Sequence, residues 1–122
     1  MLVRHLTGDP PEMAKRATKA LAGPEQLLLA DLVLAECVYV LESFYEVERQ
    51  RVATLMRAAL MLPKVAVTDR QLLLRALEVY ELDRLDFAEA YLVACAEATG
   101  VDAILSFDRS IDRVETVTRI EP

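Results

Sequence analysis

Four carboxylates stand where the surrounding residues make an acid informative. Glu36 lies in DLVLAECVYVLESF, one turn into an otherwise apolar helical run, with Leu32, Val33, Tyr39 and Val40 at helical spacing. A carboxylate there is expensive to bury unless it is paired or holds a metal; the alternative is an acid at the helix edge touching water. Asp86 and Glu89 stand three apart at the start of a helix, so they share a face near the positive end of the helix dipole. Asp86 reads equally well as an N-cap, with Glu89 closing a capping-box-like pair. For Glu89 the apolar AYLVACA that follows favours a site. Asp108 comes directly after the run AILSF. Ligand sites in open parallel sheets lie beyond the carboxyl ends of strands; a turn-forming Asp is the alternative. Asp112, in the same loop, has a weaker claim. Acids at a helix interior, a helix start and a strand end supply what Mg²⁺ or Mn²⁺ needs, hard oxygen ligands from separate elements. The remaining acids Glu12, Glu46, Glu48, Glu78, Glu81 and Glu115 read as solvated faces.

Composition narrows the setting. The 122 residues suffice for one domain with a sizeable core, and 54% are hydrophobic. Twenty acids against 14 bases give a net charge of −6, which argues against non-specific nucleic-acid affinity. It leaves nuclease chemistry open, because a bound metal reverses the local sign. Cys37 and Cys95 sit inside apolar helical runs and read as buried free thiols. With two Cys and one His, a Cys/His zinc site is close to excluded. The longest apolar run, LLLADLVLAECVYVL, is broken by Asp31 and Glu36, and the N-terminus has no signal-peptide pattern. A cytoplasmic protein without a membrane span is expected.

The elements that would position these acids follow from periodicity. Residues 2–6 allow one helical turn before the break Gly8-Asp9-Pro10-Pro11, where Asp9 can cap and a proline can fill the first helical position. PEMAKRATKALAG reads as an amphipathic helix with Met13, Ala17, Ala20 and Leu21 inward, stopped by Gly23. A short strand is expected at 26–30. Helices follow at about 31–45, with Leu32, Ala35, Val38, Tyr39 and Glu42 at helical spacing, and at about 47–61. KVAV (64–67) reads as a strand, Thr68 or Asp69 caps a helix over about 70–82, and another helix runs from about 86 to 98 with Gly100 past its end. DAILSF (102–107) and ETVTRI (115–120) read as the last strands. The order after residue 24 is β, α, α, β, α, α, β, β, which predicts an α/β fold with a mostly parallel sheet.

LVRHLTGDPPE, LADLVLAECVYVLES, LDFAEAYLVACAEATG and AILSFDRSID, in that order, resemble the PIN domain, and more closely the VapC-type toxin ribonucleases of toxin–antitoxin pairs. The resemblance covers the whole chain, 1–122, as a single domain, and implies a three-layer fold with a twisted, mostly parallel sheet flanked by helices. It implies acids around one or two divalent metals, Mg²⁺ or Mn²⁺. The family's second acid falls on Glu36, its third on Glu89 with Asp86 as a nearby extra carboxylate, and its fourth on Asp108. Glu at 89 replaces the usual Asp and lengthens the arm by one methylene. Glu36, Glu89 and Asp108 are thus the expected catalytic set. With a bound metal they would activate water and stabilise charge on an RNA phosphodiester. Ser106 could position a ligand, and Arg4, Lys15, Arg16 and Arg109 could contact phosphate, though solvated surface explains each as well. The resemblance also implies a small antitoxin partner and a homodimer. Tyr39, Phe44, Tyr45, Val52 and Met56 could form an apolar dimer face, with core packing the commoner explanation.

The family's first acid has no counterpart here. PIN domains open with a hydrophobic strand ending in Asp-Thr-Asn, and this chain begins inside the helix that follows. Met1 stands in the place of a Val, as a GTG codon read as an initiator would give. A longer native chain, with roughly ten more residues carrying that strand, is the expectation. The rival is a catalytically inactive PIN module that binds an antitoxin.

Overall fold

The computed structural model describes residues 11–23 and 25–122, apart from the side chains of Pro11, Ala17, Ala20 and Leu21. The readings at 2–6, at Asp9 and Pro10, and at Arg4, and the inward placing of Ala17, Ala20 and Leu21, lie outside them. The chain divides into two compact units, residues 1–68 and 69–122.

In the first unit, α1 (Pro11–Ala22) begins on a proline and stops before Gly23. Met13 is exposed rather than inward, and Ala14 is the buried position. β1 (Leu27–Leu28) pairs in parallel with β2 (Val65–Ala66), Leu27 opposite Val65. Between them α2 (Asp31–Ser43) packs on α3 (Arg49–Leu60). Leu34, Cys37, Val38 and Leu41 are the buried stripe of α2, and Val52, Ala53, Met56, Ala59 and Leu60 that of α3. Leu32 and Tyr39, which recur at helical spacing with buried Val38, are exposed. The helix is apolar on nearly every side, so periodicity could not say which side packs.

In the second unit, α4 (Arg70–Glu78) begins at Asp69, whose Oδ1 accepts a hydrogen bond from the Leu72 amide at 3.1 Å. Its last turn widens into a π-helical turn, Val79–Asp83, and ends at Arg84 with φ of 60°. α5 (Phe87–Thr99) packs along α4. It ends on Gly100 at φ 75°, the left-handed conformation that glycine adopts without cost. β3 (Ala103–Leu105) and β4 (Thr118–Ile120) pair in parallel, Leu105 opposite Ile120, and a 3₁₀ turn (Arg109–Arg113) lies between them. Leu73, Leu77, Tyr80, Leu85, Ala90, Val93 and Ile111 are fully buried here.

The α/β class and the parallel pairing match expectation. The described strands form two two-stranded ladders, one in each unit. No described strand bonds to both ladders, which is what joining them would take. Leu28, Leu105 and Ile120 are exposed, whereas parallel strands are usually covered on both faces. Val52 and Met56 are fully buried, so the apolar dimer face proposed from them is core packing; Tyr39 and Phe44 alone of that group are exposed.

Candidate metal centre

The second unit gathers three of the four acids. Asp86 is the N-cap residue of α5, yet its side chain makes no capping hydrogen bond. The capping-box reading of Asp86 and Glu89 therefore fails, and both carboxylates remain at the helix start with the dipole favouring their charge. Glu89 is half-buried, and its Oε2 is shielded from solvent without a hydrogen-bond partner among the described residues. Burial first, then the negative charges of Asp108 and Asp86, push its carboxyl above the usual range. That is the electrostatic signature of three acids sharing one neighbourhood.

Asp108 is held by its turn. Its amide donates to Ser106 Oγ at 3.0 Å, and its Oδ1 accepts from the Ser110 amide at 2.9 Å. The Ser110 side chain and then its amide hold the carboxyl below the usual carboxylate range, with Arg113 and Arg119 adding to the effect. The turn-forming reading of Asp108 is thus correct for Oδ1. Ser106 serves the turn by receiving that amide. The turn is tied to the approach to α5 by Arg113, which donates to the carbonyls of Arg84 at 3.0 Å and Asp83 at 3.4 Å. Asp112 pairs with Arg119 at 3.1 Å, which accounts for it without a site role.

Glu36 stands in the first unit. It is exposed, flanked by exposed Leu32, Val33 and Tyr39 on the outer side of α2. The costly burial considered for it does not arise. Its charge, with burial as the larger cause, raises the thiol of buried Cys37. Cys37 and Cys95 are free, but Cys95 is only half-buried. Lys15, Arg16 and Arg109 are exposed, as a solvated surface requires.

Sequence reading missed the strongest ion cluster. Arg75 on α4 forks onto Glu97 of α5, Nε to Oε1 at 2.7 Å and Nη2 to Oε2 at 2.9 Å. Glu78 and Thr116 complete it, on Arg75 and Glu97 respectively. Arg75–Glu97 and Glu97–Thr116 span 22 and 19 residues, so no local spacing announces them; only the Arg75–Glu78 pair, three apart on α4, is local.

The donor chemistry in the second unit fits a hard divalent cation. It offers oxygen ligands alone, one of them shielded and unpartnered, in a neighbourhood whose mutual repulsion a cation would relieve. Among the described residues no three such side chains close into a finished metal-holding group. Also among the described residues, no helix is long and apolar enough to cross a membrane.

Comparison with curated proteins and with solved structures gives no match. A family profile described as PIN domain matches residues 1–117, a span that includes Glu36, Asp86, Glu89 and Asp108. PIN domains are a nuclease family, generally metal-dependent. This chain belongs to the PIN domain family.

Proposed function

We propose that the protein is a Mg²⁺- or Mn²⁺-dependent endoribonuclease, the toxin of a toxin–antitoxin pair, acting in the cytoplasm as a homodimer and restrained by a small cognate antitoxin. The observation that carries the nuclease reading is Glu89, an acid with a shielded, unpartnered oxygen beside two further acids in a chain of nuclease family. A fold does not keep such a group for stability, because an uncompensated, partly desolvated carboxylate opposes folding.

Glu89 and Asp108 hold the cation in this reading, and Asp86 adds a ligand directly or through water. Glu36, in the other unit, enters this proposal only through the resemblance of LADLVLAECVYVLES to the family's second acid. When bound, the cation activates water and offsets charge building on the phosphate. Ser110 holds the Asp108 carboxyl below the usual carboxylate range, which favours the charged form a cation would need. Incubating RNA with the protein tests this: cleavage with Mg²⁺ or Mn²⁺, abolished by EDTA and strongly lowered by Glu36→Gln, is the expected result. No cleavage by a well-folded protein overturns it.

The second reading is a non-catalytic PIN module that binds an antitoxin. Its supporting observation is that no three metal-ligating side chains close into a group among the described residues. Tight antitoxin binding without any cation-dependent cleavage would favour it.

A further inference from the structure

Arg119 of β4 reaches both sides of the Asp108 turn. Its Nη1 donates to the Ser106 carbonyl at 3.2 Å, on the strand side of Asp108. Its Nε and Nη2 fork onto Asp112, to Oδ1 at 3.1 Å and Oδ2 at 3.2 Å, on the 3₁₀ side. Glu121 Oε1 lies at 3.5 Å from Nη1. The Arg119 side chain is 13% exposed, while Asp112 stays 55% exposed. A planar fork that satisfies a carboxylate through two nitrogens and a carbonyl through a third fixes direction as well as distance. Between the two anchors sit the two hydrogen bonds that orient Asp108, from its own amide to Ser106 Oγ and from the Ser110 amide to its Oδ1. The strand end beneath is pinned by the Ser106 amide on the Ile120 carbonyl at 3.0 Å.

We infer that Arg119 is a positioning residue for the metal centre: by clamping Ser106 to Asp112 it holds the turn that aims Asp108. The inference rests on the reading of Asp108 as a metal ligand. Groups that orient a ligand without touching the metal commonly set its affinity. Among the described residues Arg119 makes no hydrogen bond to Asp108 or Glu89, so its removal acts through the turn and through the loss of its positive charge near Asp108, a charge that Arg119→Lys keeps.

The test is Arg119→Gln, with Arg119→Lys, Asp112→Asn and Glu121→Gln beside it. Two quantities are read on the full chain: amide exchange at Asp108 and Ser110 without metal, and Mn²⁺ affinity by calorimetry. Expected in Arg119→Gln are faster exchange at both amides and Mn²⁺ binding weakened about tenfold. Arg119→Lys recovers part of each by keeping one bond, and Glu121→Gln changes neither. Should Arg119→Gln fail to fold, Asp112→Asn carries the same test, because its residue is exposed and loosens the same clamp. Unchanged exchange at Asp108 and Ser110 in a folded variant overturns the inference. If the wild-type protein binds no Mn²⁺ while exchange responds as expected, the clamp stands and the metal-centre reading fails.

Discussion

Glu89 and Glu97 lie on the same helix, about two turns apart, and are treated in opposite ways. Glu97 has both oxygens engaged, by Arg75 and Thr116, and its carboxyl is pushed below the usual range by the Arg75 hydrogen bonds first. Glu89 has a shielded oxygen with no partner among the described residues, and burial, then Asp108 and Asp86, push it up. One carboxylate fastens α5 to α4 and to the segment before β4. The other costs the fold something, and in the proposed function a cation compensates it. The contrast separates a structural acid from the one proposed as functional on a single element, where helix propensity and dipole cannot be the cause.

The largest expected effect breaks the functional side. Glu36→Gln, Glu89→Gln and Asp108→Asn each lower cation-dependent RNA cleavage by on the order of a hundredfold, measured with equal amounts of folded protein. Glu97→Gln leaves cleavage intact. It instead lowers stability by about 1–2 kcal/mol in urea unfolding, since it loses charge-assisted bonds that are only partly shielded from water.

Acidity sharpens the same comparison. Glu97 and Asp108 have lowered values, so the stability they contribute is full above the ordinary carboxylate range and is lost as pH falls through their folded values. Glu89 has a raised value, so its contribution is present in acid and is lost as pH rises through its folded value. Metal-free Glu89→Gln therefore melts above wild type at neutral pH and level with it in acid, while Glu97→Gln melts below wild type at neutral pH. A melting series from acid to neutral pH checks both slopes. The smallest effect falls on Asp86→Asn. Its side chain caps nothing, so it changes stability by less than about 0.5 kcal/mol and acts on cation affinity alone.

Much of this was legible before the structure. Turn and cap chemistry is local, so the strands around Leu27, Val65, Ile104 and Arg119, the Asp69 cap and the Gly100 stop were all readable. The acid after β3 and the pair at the start of α5 followed from the same local logic. What local pattern could not supply was direction. α2 is apolar nearly all round, so the stripe through Leu34, Cys37, Val38 and Leu41 could not be told from the one through Leu32 and Tyr39. That choice decides whether Glu36 is buried or exposed. The Arg75–Glu97–Thr116 cluster and the Arg119 clamp depend on contacts between distant segments or across a turn, which no spacing rule encodes. The expected single sheet extrapolated from element order, and order does not fix how many strands pair.

The most direct test is to melt metal-free wild type, Glu89→Gln and Glu97→Gln with increasing Mn²⁺ at neutral pH. A cation that binds the folded chain alone stabilises it by about 2.7 kcal/mol at a hundred times its dissociation constant. Wild type and Glu97→Gln should both be stabilised, and Glu89→Gln should not. Equal stabilisation of all three, or of none, would contradict a metal centre built on Glu89.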